Sequence, residues 1–473
     1  MLDIATLLKN LFSATAMRII SSLLSFLLIS YLARVWDVAQ LGQFSTLFSI
    51  FLFLFQIPLL GLHIVLIRDI AANPEKKQSY TTTALALSLF VSLFLALSVI
   101  LIGQSIYPES MHSAITLIAV SNLLFAITAV IESVLIAQEK MPVVVWGTII
   151  ENLFRVACGF ALAYSGFGIT PIVACFVIGR LLALIVYQYL ANVWSYVDIK
   201  SISINTFQLF VRKIPTVFII LLLSTVIGRF DFILLSILGS MRDVGLYSPA
   251  FKIYEMGLMV PSMLTVVIYP TLARFFDSDR AVFDQLYTHL VRFIIILGTP
   301  ALTLVAYFSA DIIALFFGQE YLSSHIALKL LLGALLLITV DQILIAITYA
   351  AKRDDLELKV LAISSIIYLS LLFLLIPKIG FMGAAIATLT AAITKLFVRY
   401  LLIAGKLHLP SLPKTLLGPI LATIVMLLLL AWSPVSNVFI NAIAATVSYS
   451  IILILTRGIT RQDFQYVKSI ATK

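Results

Sequence analysis

The chain has 473 residues, 62% hydrophobic and only 11% charged, with 31 Lys and Arg against 22 Asp and Glu for a formal net charge of +9. A water-soluble domain carries roughly 25% charged residues, so this composition, with a mean hydropathy of +1.12, excludes a soluble globular protein. Cys158 and Cys175 both fall in apolar stretches and His63, His112, His289, His325 and His408 are scattered, so no disulfide framework, metal site or cofactor site is expected.

From the N-terminus, "MLDIATLLKN" opens with an acid and leads into an apolar segment too long for a signal-peptide core. Residues 1–10 are expected to form a short amphipathic helix on the cytoplasmic surface. Apolar stretches then follow over 11–33, 41–67, 80–103, 113–138, 142–164, 170–192, 214–238, 246–271, 289–309, 325–350, 358–376, 380–404, 412–432 and 435–455. Each is near the roughly 20 residues a helix needs to cross a bilayer. The expected fold is therefore an all-α polytopic membrane protein of about 14 transmembrane helices, with 12 or 13 as the alternatives.

With the N-terminus inside, roughly 22 of the 31 basic residues fall at cytoplasmic ends and loops, and three (Arg34, Arg242 and Lys378) fall outside. That bias sets an orientation with both termini cytoplasmic. It also accounts for the net charge without a nucleic-acid partner. The longest polar connections, 192–213 and 274–292, are cytoplasmic in this topology, and each has the spacing of a surface helix. The chain has no GxxxxGK(S/T) phosphate loop and no room for a soluble catalytic domain.

The segment 193–213 divides the chain into an N-terminal lobe (1–192, spans one to six) and a C-terminal lobe (214–405, spans seven to twelve). Two extra spans and a cytoplasmic tail follow over 406–473. Six spans is an even number, so the lobes are expected to be a parallel repeat. Two echoes support the duplication. "GQFSTLFSI" (42–50) and "GLYSPAFKI" (245–253) share the frame Gly-x-(Phe/Tyr)-Ser-x-x-Phe-x-Ile, with Pro58 and Pro261 following at the same distance. "GFGITPIVACFVIGRLL" (166–182) and "GFMGAAIATLTAAITKLF" (380–397) align Arg180 with Lys395 across a one-residue gap. Pro58, Pro261 and Pro300 lie within or near span centres, where a proline favours a kink.

The segments "LARVWDVAQLGQFSTLFSI" (32–50), "LLSTVIGRFDFILLSILGSMRDVGLYSPAFKI" (222–253), "YPTLAR" (269–274), "DIIALFFGQEYLSSHIAL" (311–328) and "IPKIGFMGAAIATLTAAIT" (376–394) occur in an order that resembles bacterial polysaccharide flippases. That family handles O-antigen and other lipid-linked oligosaccharide units within the multidrug/oligosaccharidyl-lipid/polysaccharide exporter superfamily. The resemblance runs from the first span to about residue 405. It implies two six-helix lobes around a central cavity in the cytoplasmic (inner) membrane, with alternating access and two peripheral C-terminal spans. The implied partners are a lipid-linked oligosaccharide, membrane lipids and other polysaccharide-assembly proteins.

A charge at bilayer depth costs several kcal/mol, so each needs a partner or a wet cavity. Glu151 and Arg155 are four apart, and Lys252 and Glu255 three apart, spacings at which side chains meet on one helical face. Arg229 and Asp231, two apart, do not face each other. Arg18, Arg180 and Lys395 have no acid on their own helix. Arg180 and Lys395, at equivalent repeat positions, are expected to face a shared cavity and to suit a pyrophosphate or acidic sugar. The alternative is a salt bridge to another helix, with Glu132 or Asp341 as the acid. For Arg18 the alternative is snorkelling to the interface. Asp341, whose nearest base on its own span, Lys329, is three turns away, joins Glu132, Asp231, Glu151 and Glu255 as candidates for H+ or Na+ coupling or for countering the cationic residues Arg155, Arg229 and Lys252, which are themselves candidates for the cavity. Tyr247, Tyr254 and Tyr349 are read as core packing in preference to sugar stacking. Two other functions compete: a drug or cation antiporter or peptidoglycan-precursor flippase of the same superfamily, and a membrane glycan polymerase or transferase. The short external loops argue against an enzyme.

Overall fold

The computed structural model describes residues 4–55, 57–59, 61–407, 413–432 and 438–456, and every regular element among them is helical. The first seven helices are α1 (Ile4–Val35), α2 (Val38–Leu54), α3 (Leu62–Ala72), α4 (Lys77–Ile106), α5 (Glu109–Ala137), α6 (Met141–Tyr164) and α7 (Ile169–Ala191). Next come α8 (Ile204–Leu238), α9 (Met241–Gly257), α10 (Met259–Ser278), α11 (Arg280–Tyr307), α12 (Ser309–Phe316), α13 (Ser324–Ala350), α14 (Asp354–Ile379) and α15 (Phe381–Leu407). The last are α16 (Pro413–Trp432) and α17 (Val438–Leu455).

Among the described residues, ten helical stretches are long and apolar enough to cross a membrane, accompanied by four shorter apolar ones: Ile19–Val35, Val38–Leu54, Leu417–Trp432 and Ile440–Leu455. The protein is an all-α, multi-pass membrane protein, as expected where every backbone polar group must be satisfied within its own segment. Helix α4 shows how the sequence serves both environments. Its small residues Ala84, Ser88, Ser92, Ala96 and Gly103 are buried, while Phe90, Phe94 and Leu101 are exposed. Small side chains let helices approach closely where lipid offers no hydrophobic drive, and Asn122 of α5 reaches across to donate to Ser92 Oγ at 3.2 Å.

The expected N-terminal surface helix is not a separate element, because α1 is continuous from Ile4. The 192–213 connection is likewise not one surface helix. It forms two short 3-10 turns, Val193–Tyr196 and Ile199–Ser201, before α8 starts behind a Ser203 cap and runs on to Leu238.

The sequence echoes have structural counterparts. Helices α2 and α9 are both 17 residues long, and each carries its Gly-x-(Phe/Tyr)-Ser frame at the same place. Both end in a break, after Leu54 ahead of α3 and at Leu258 ahead of α10, close to Pro58 and Pro261. Pro300 sits inside the unbroken α11. The turns after α5 and α13 also repeat. Glu139 (φ 58°) and Lys352 (φ 55°) each take the left-handed conformation, and Lys140 N–H donates to Leu135 O as Arg353 N–H donates to Thr348 O. This is the 6→1 closure that ends a helix on a left-handed residue.

The chain packs as two compact units, Met1–Pro249 with Ser370–Ala384, and Ala250–Leu369 with Ala385–Lys473. The division falls inside α9, not in the 193–213 connection, because α2 packs along α8 and the start of α9. The core of the first unit includes Leu62, Leu66, Val130, Val134, Tyr187 and Phe210. That of the second includes Leu272, Phe283, Tyr287, Ile347 and Ile403. Helices α16 and α17 lie against α11, where Tyr449 donates to Ile296 O at 3.0 Å and Tyr307 donates to Leu430 O at 2.6 Å.

Candidate functional site

In the first unit, four charged side chains from α5, α6 and α7 converge. Arg180 lies near the midpoint of α7 and is buried. Its Nη1 is 2.9 Å from Glu151 Oε2 and 3.9 Å from Glu132 Oε1. Arg155 completes the group at 3.9 Å from Glu151, the pairing its four-residue spacing predicts. Two glycines make the approach possible. Gly179 lets Glu151 come under α7, where an added Cβ would already stand 3.2 Å from its Cγ. Gly147 leaves room for the ring of Tyr187, which a Cβ there would overlap, and the Tyr187 hydroxyl donates to Glu132 at 2.7 Å.

The charges in this cluster balance, but its hydrogen bonds do not close. Among the described residues Arg180 Nε, which is buried, donates to nothing, and a buried donor left unmade costs roughly 1–3 kcal/mol. The guanidinium is walled by Phe55 and Phe125, with ring centroids at 5.0 and 4.9 Å, and these two rings stack on each other at 3.8 Å. The side chain of Glu132 stays 23% exposed and that of Arg155 15%. The cluster is therefore half-open, with one unused donor on a planar cation.

In the second unit, α13, α14 and α15 carry a matching set of two cations and two carboxylates. Arg399 is fully buried, donates from Nε to Asp341 Oδ1 at 2.7 Å and pairs with Glu357 through Nη1. Lys395, one turn earlier, stands 4.0 Å from Asp341 Oδ2. This arrangement is closed, since both carboxylates are taken by a fork buried to 1% exposure. Asp341 thus obtains its basic partners from another helix, since Lys329 on its own helix lies three turns away. Arg399 and Glu357 were not singled out in the sequence, although Lys395 and Arg399 are like charges four apart, which is unfavourable unless acids arrive from neighbouring helices.

Of the remaining expected residues, Lys252 and Glu255 pair at 2.7 Å. Asp231 accepts from Tyr247 Oη at 2.8 Å and from Phe232 N–H at 2.9 Å. The side chain of Arg18 lies outside the described residues. Tyr247 and Tyr254 are buried, whereas Tyr349 lines an open pocket with Thr265, Tyr269, Lys352 and Asp354. Among the described residues no group of His, Cys, Asp and Glu could hold a metal ion.

The two copies of the Gly-x-(Phe/Tyr)-Ser frame meet. A Cβ on Gly42 would overlap the carbonyl oxygen of Met241, one on Gly245 would overlap that of Val38, and Ser45 and Ser248 share a hydrogen bond at 2.8 Å.

A family model described as polysaccharide biosynthesis protein matches residues 7–276. The chain belongs to that family. The match includes the half-open cluster and the glycine contact, and it ends before the Arg399 network. Among relatives, the family member is 23% identical over 77% of its length to a probable low-salt glycan biosynthesis flippase, Agl15, of Haloferax volcanii, covering 76% of that protein. It is 21% identical over 80% of its length to the capsular polysaccharide biosynthesis protein CapF of Staphylococcus aureus, covering 95% of that protein. Among solved structures, the lipid II flippase MurJ in an inward closed conformation gives a TM-score of 0.77 at 16% identity, covering 94% of this chain and 99% of that one. An inward-facing MATE family multidrug resistance transporter of the MOP superfamily gives 0.62 at 14%, covering 81% and 95%. At these identities the likeness is one of fold.

Proposed function

We propose that this protein is a flippase that moves polyprenyl-pyrophosphate-linked oligosaccharide repeat units from the cytoplasmic to the outer leaflet, for cell-surface polysaccharide synthesis. It sits in a bacterial cytoplasmic membrane with both termini inside and works by alternating access between lobes 1–192 and 214–405. It carries its substrate and does no covalent chemistry on it.

The observation that carries the reading is the half-open Arg180 cluster, at the middle of a spanning helix in a member of a polysaccharide biosynthesis family. A diphosphate or acidic sugar is an acceptor for the unused Arg180 Nε–H, and the planar guanidinium suits such an anion. Arg155 supplies further positive charge in the same cluster. Glu132 and Glu151 balance the cations when the site is empty, which keeps the resting cost of buried charge low. Asp231 and Glu132 are the carboxylates assigned to H+ or Na+ coupling. Arg399, with Asp341 and Glu357, ties α13, α14 and α15 together and does not contact substrate.

The test is transport in proteoliposomes. A polyprenyl-pyrophosphate oligosaccharide is placed in one leaflet, and its arrival in the other is read by cleavage with a membrane-impermeant glycosidase. Transfer that depends on the wild-type protein and falls in Arg180→Ala supports the reading. Transfer of lipid II alone, or of organic cations alone, assigns the chain to a different cargo of the same fold.

A further inference from the structure

At one end of the first unit, Tyr196 gathers two lysines that no carboxylate answers. Lys77 Nζ stands 4.1 Å from the centre of the Tyr196 ring, and Lys140 Nζ donates to its hydroxyl at 2.9 Å. Tyr196 is held rigidly for this role, buried in the unit's core with its own hydroxyl donating to Ala191 O at 3.1 Å. Lys140 is exposed and Lys77 half-buried. Among the described residues neither has an ion-pair partner, and exposed Glu75 and Glu139, the nearest acids in sequence, reach neither ammonium. Two like charges brought to one ring repel each other, so the arrangement gains from an anion between them.

The segment that carries Tyr196 is fastened down and exposes apolar side chains. Ser195 O accepts from Gln78 at 3.3 Å, Asp198 N–H donates to Thr82 at 3.0 Å, Ser203 N–H donates to Thr83 at 3.3 Å, and Thr206 meets Ser79 at 3.2 Å. These bonds pin residues 195–206 to the start of α4. The same segment leaves Trp194, Ile199, Ile202, Ile204 and Phe207 exposed, Ile199 to 79% and Ile204 to 74%. An ordered strap that exposes five large apolar side chains marks an interaction surface. At the end of a bundle of spanning helices, tryptophan and lysine are the residues that settle at the membrane interface.

We infer that residues 193–207 form an interfacial anchor whose apolar side chains enter the acyl region, and that Lys77 and Lys140, positioned by Tyr196, bind the phosphate of an anionic phospholipid. One lipid satisfies both halves of the surface: its chains cover the isoleucines and its headgroup answers the lysines. The anchor is separate from the Arg180 cluster and independent of what the protein carries.

The test compares the thermal unfolding midpoint of the full-length protein in nanodiscs of phosphatidylcholine and in nanodiscs of equimolar phosphatidylcholine and phosphatidylglycerol. Wild type is expected to melt higher in the anionic bilayer. Lys77→Gln/Lys140→Gln is expected to lose most of that rise while matching wild type in phosphatidylcholine, and Lys77→Arg/Lys140→Arg to keep it. An equal rise in wild type and the Gln variant overturns the proposal. So does an equal rise when inorganic phosphate is added in phosphatidylcholine, because the site then takes a free anion. Should the double Gln variant unfold, Lys140→Gln, at an exposed position, is read by the same criterion: a reduced rise supports the site and an unchanged rise overturns it.

Discussion

Ser45 and Ser248 are 203 residues apart in the chain and 2.8 Å apart in space, hydroxyl to hydroxyl. The contacts around them are reciprocal. Gly42 lies against Met241 O and Gly245 against Val38 O, so the same 203-residue step relates the two glycines and the two carbonyls. Residues related in this way, each touching the other's counterpart, are the mark of a local two-fold axis. Only glycine fits, since either Cβ would enter a carbonyl oxygen. The repeated frame is therefore the means by which α2 and α9 pack backbone to backbone.

In the proposed cycle this seam opens when the protein changes state. In a background with Cys158 and Cys175 replaced by alanine, Ser45→Cys/Ser248→Cys should form a disulfide on mild oxidation, because the two side chains already meet across the seam. Transport should fall to background when oxidised and recover with a reductant. A cross-linked protein that transports at the uncross-linked rate would show that the seam stays shut throughout.

Gly42→Ala and Gly245→Ala should each force α2 and α9 apart, at a cost of about 1–3 kcal/mol from overpacking. The thermal midpoint and the cross-linking yield of the cysteine pair should both drop. Gly168→Ala and Gly228→Ala are the controls: an added Cβ meets nothing within 4 Å at either position, and neither variant should change the cross-link.

Much of this architecture was legible in the sequence, and the failures have a common cause. Spanning stretches are readable because lipid tolerates few charges, and Glu151–Arg155 and Lys252–Glu255 because pairs three or four apart share a helical face. The repeated frame pointed to a duplication, though not to the contact between its copies. Arg399 and Glu357 went unnoticed because they sit toward the ends of α15 and α14, where charges are expected for orientation alone. Their partnership spans 42 residues of chain, and that of Arg399 with Asp341 spans 58, so no local spacing rule reaches either. Tyr187 was missed for a similar reason. Its role depends on Gly147 of the neighbouring helix leaving space for its ring.

The two charged clusters should respond differently to mutation. Arg399→Leu leaves Asp341 and Glu357 buried without their counter-charge, and breaking a buried pair costs about 3–5 kcal/mol. The expected result is a large fall in thermal midpoint and poor recovery from the membrane. Lys395→Gln, 4.0 Å from its acid and partly exposed, should shift the midpoint far less.

Arg180→Lys keeps the charge and gives up the planar fork. A hydrogen bond to a charged group contributes about 1.5–3 kcal/mol, so transport should fall at least about tenfold while the midpoint stays near that of wild type. Wild-type transport in Arg180→Lys would mean that Arg180 serves packing and not substrate.

The central claim is that the protein moves a completed lipid-linked glycan across the membrane. The direct measurement uses a strain lacking the gene: lipid-linked glycan is labelled, and the fraction open to an external glycan-modifying enzyme is determined. Completed units are expected to accumulate on the cytoplasmic face, inaccessible, with loss of surface polymer and rescue by wild type but not by Arg180→Ala. If single units still reach the outer face and only their polymerisation or attachment fails, the account is contradicted and the protein acts after translocation.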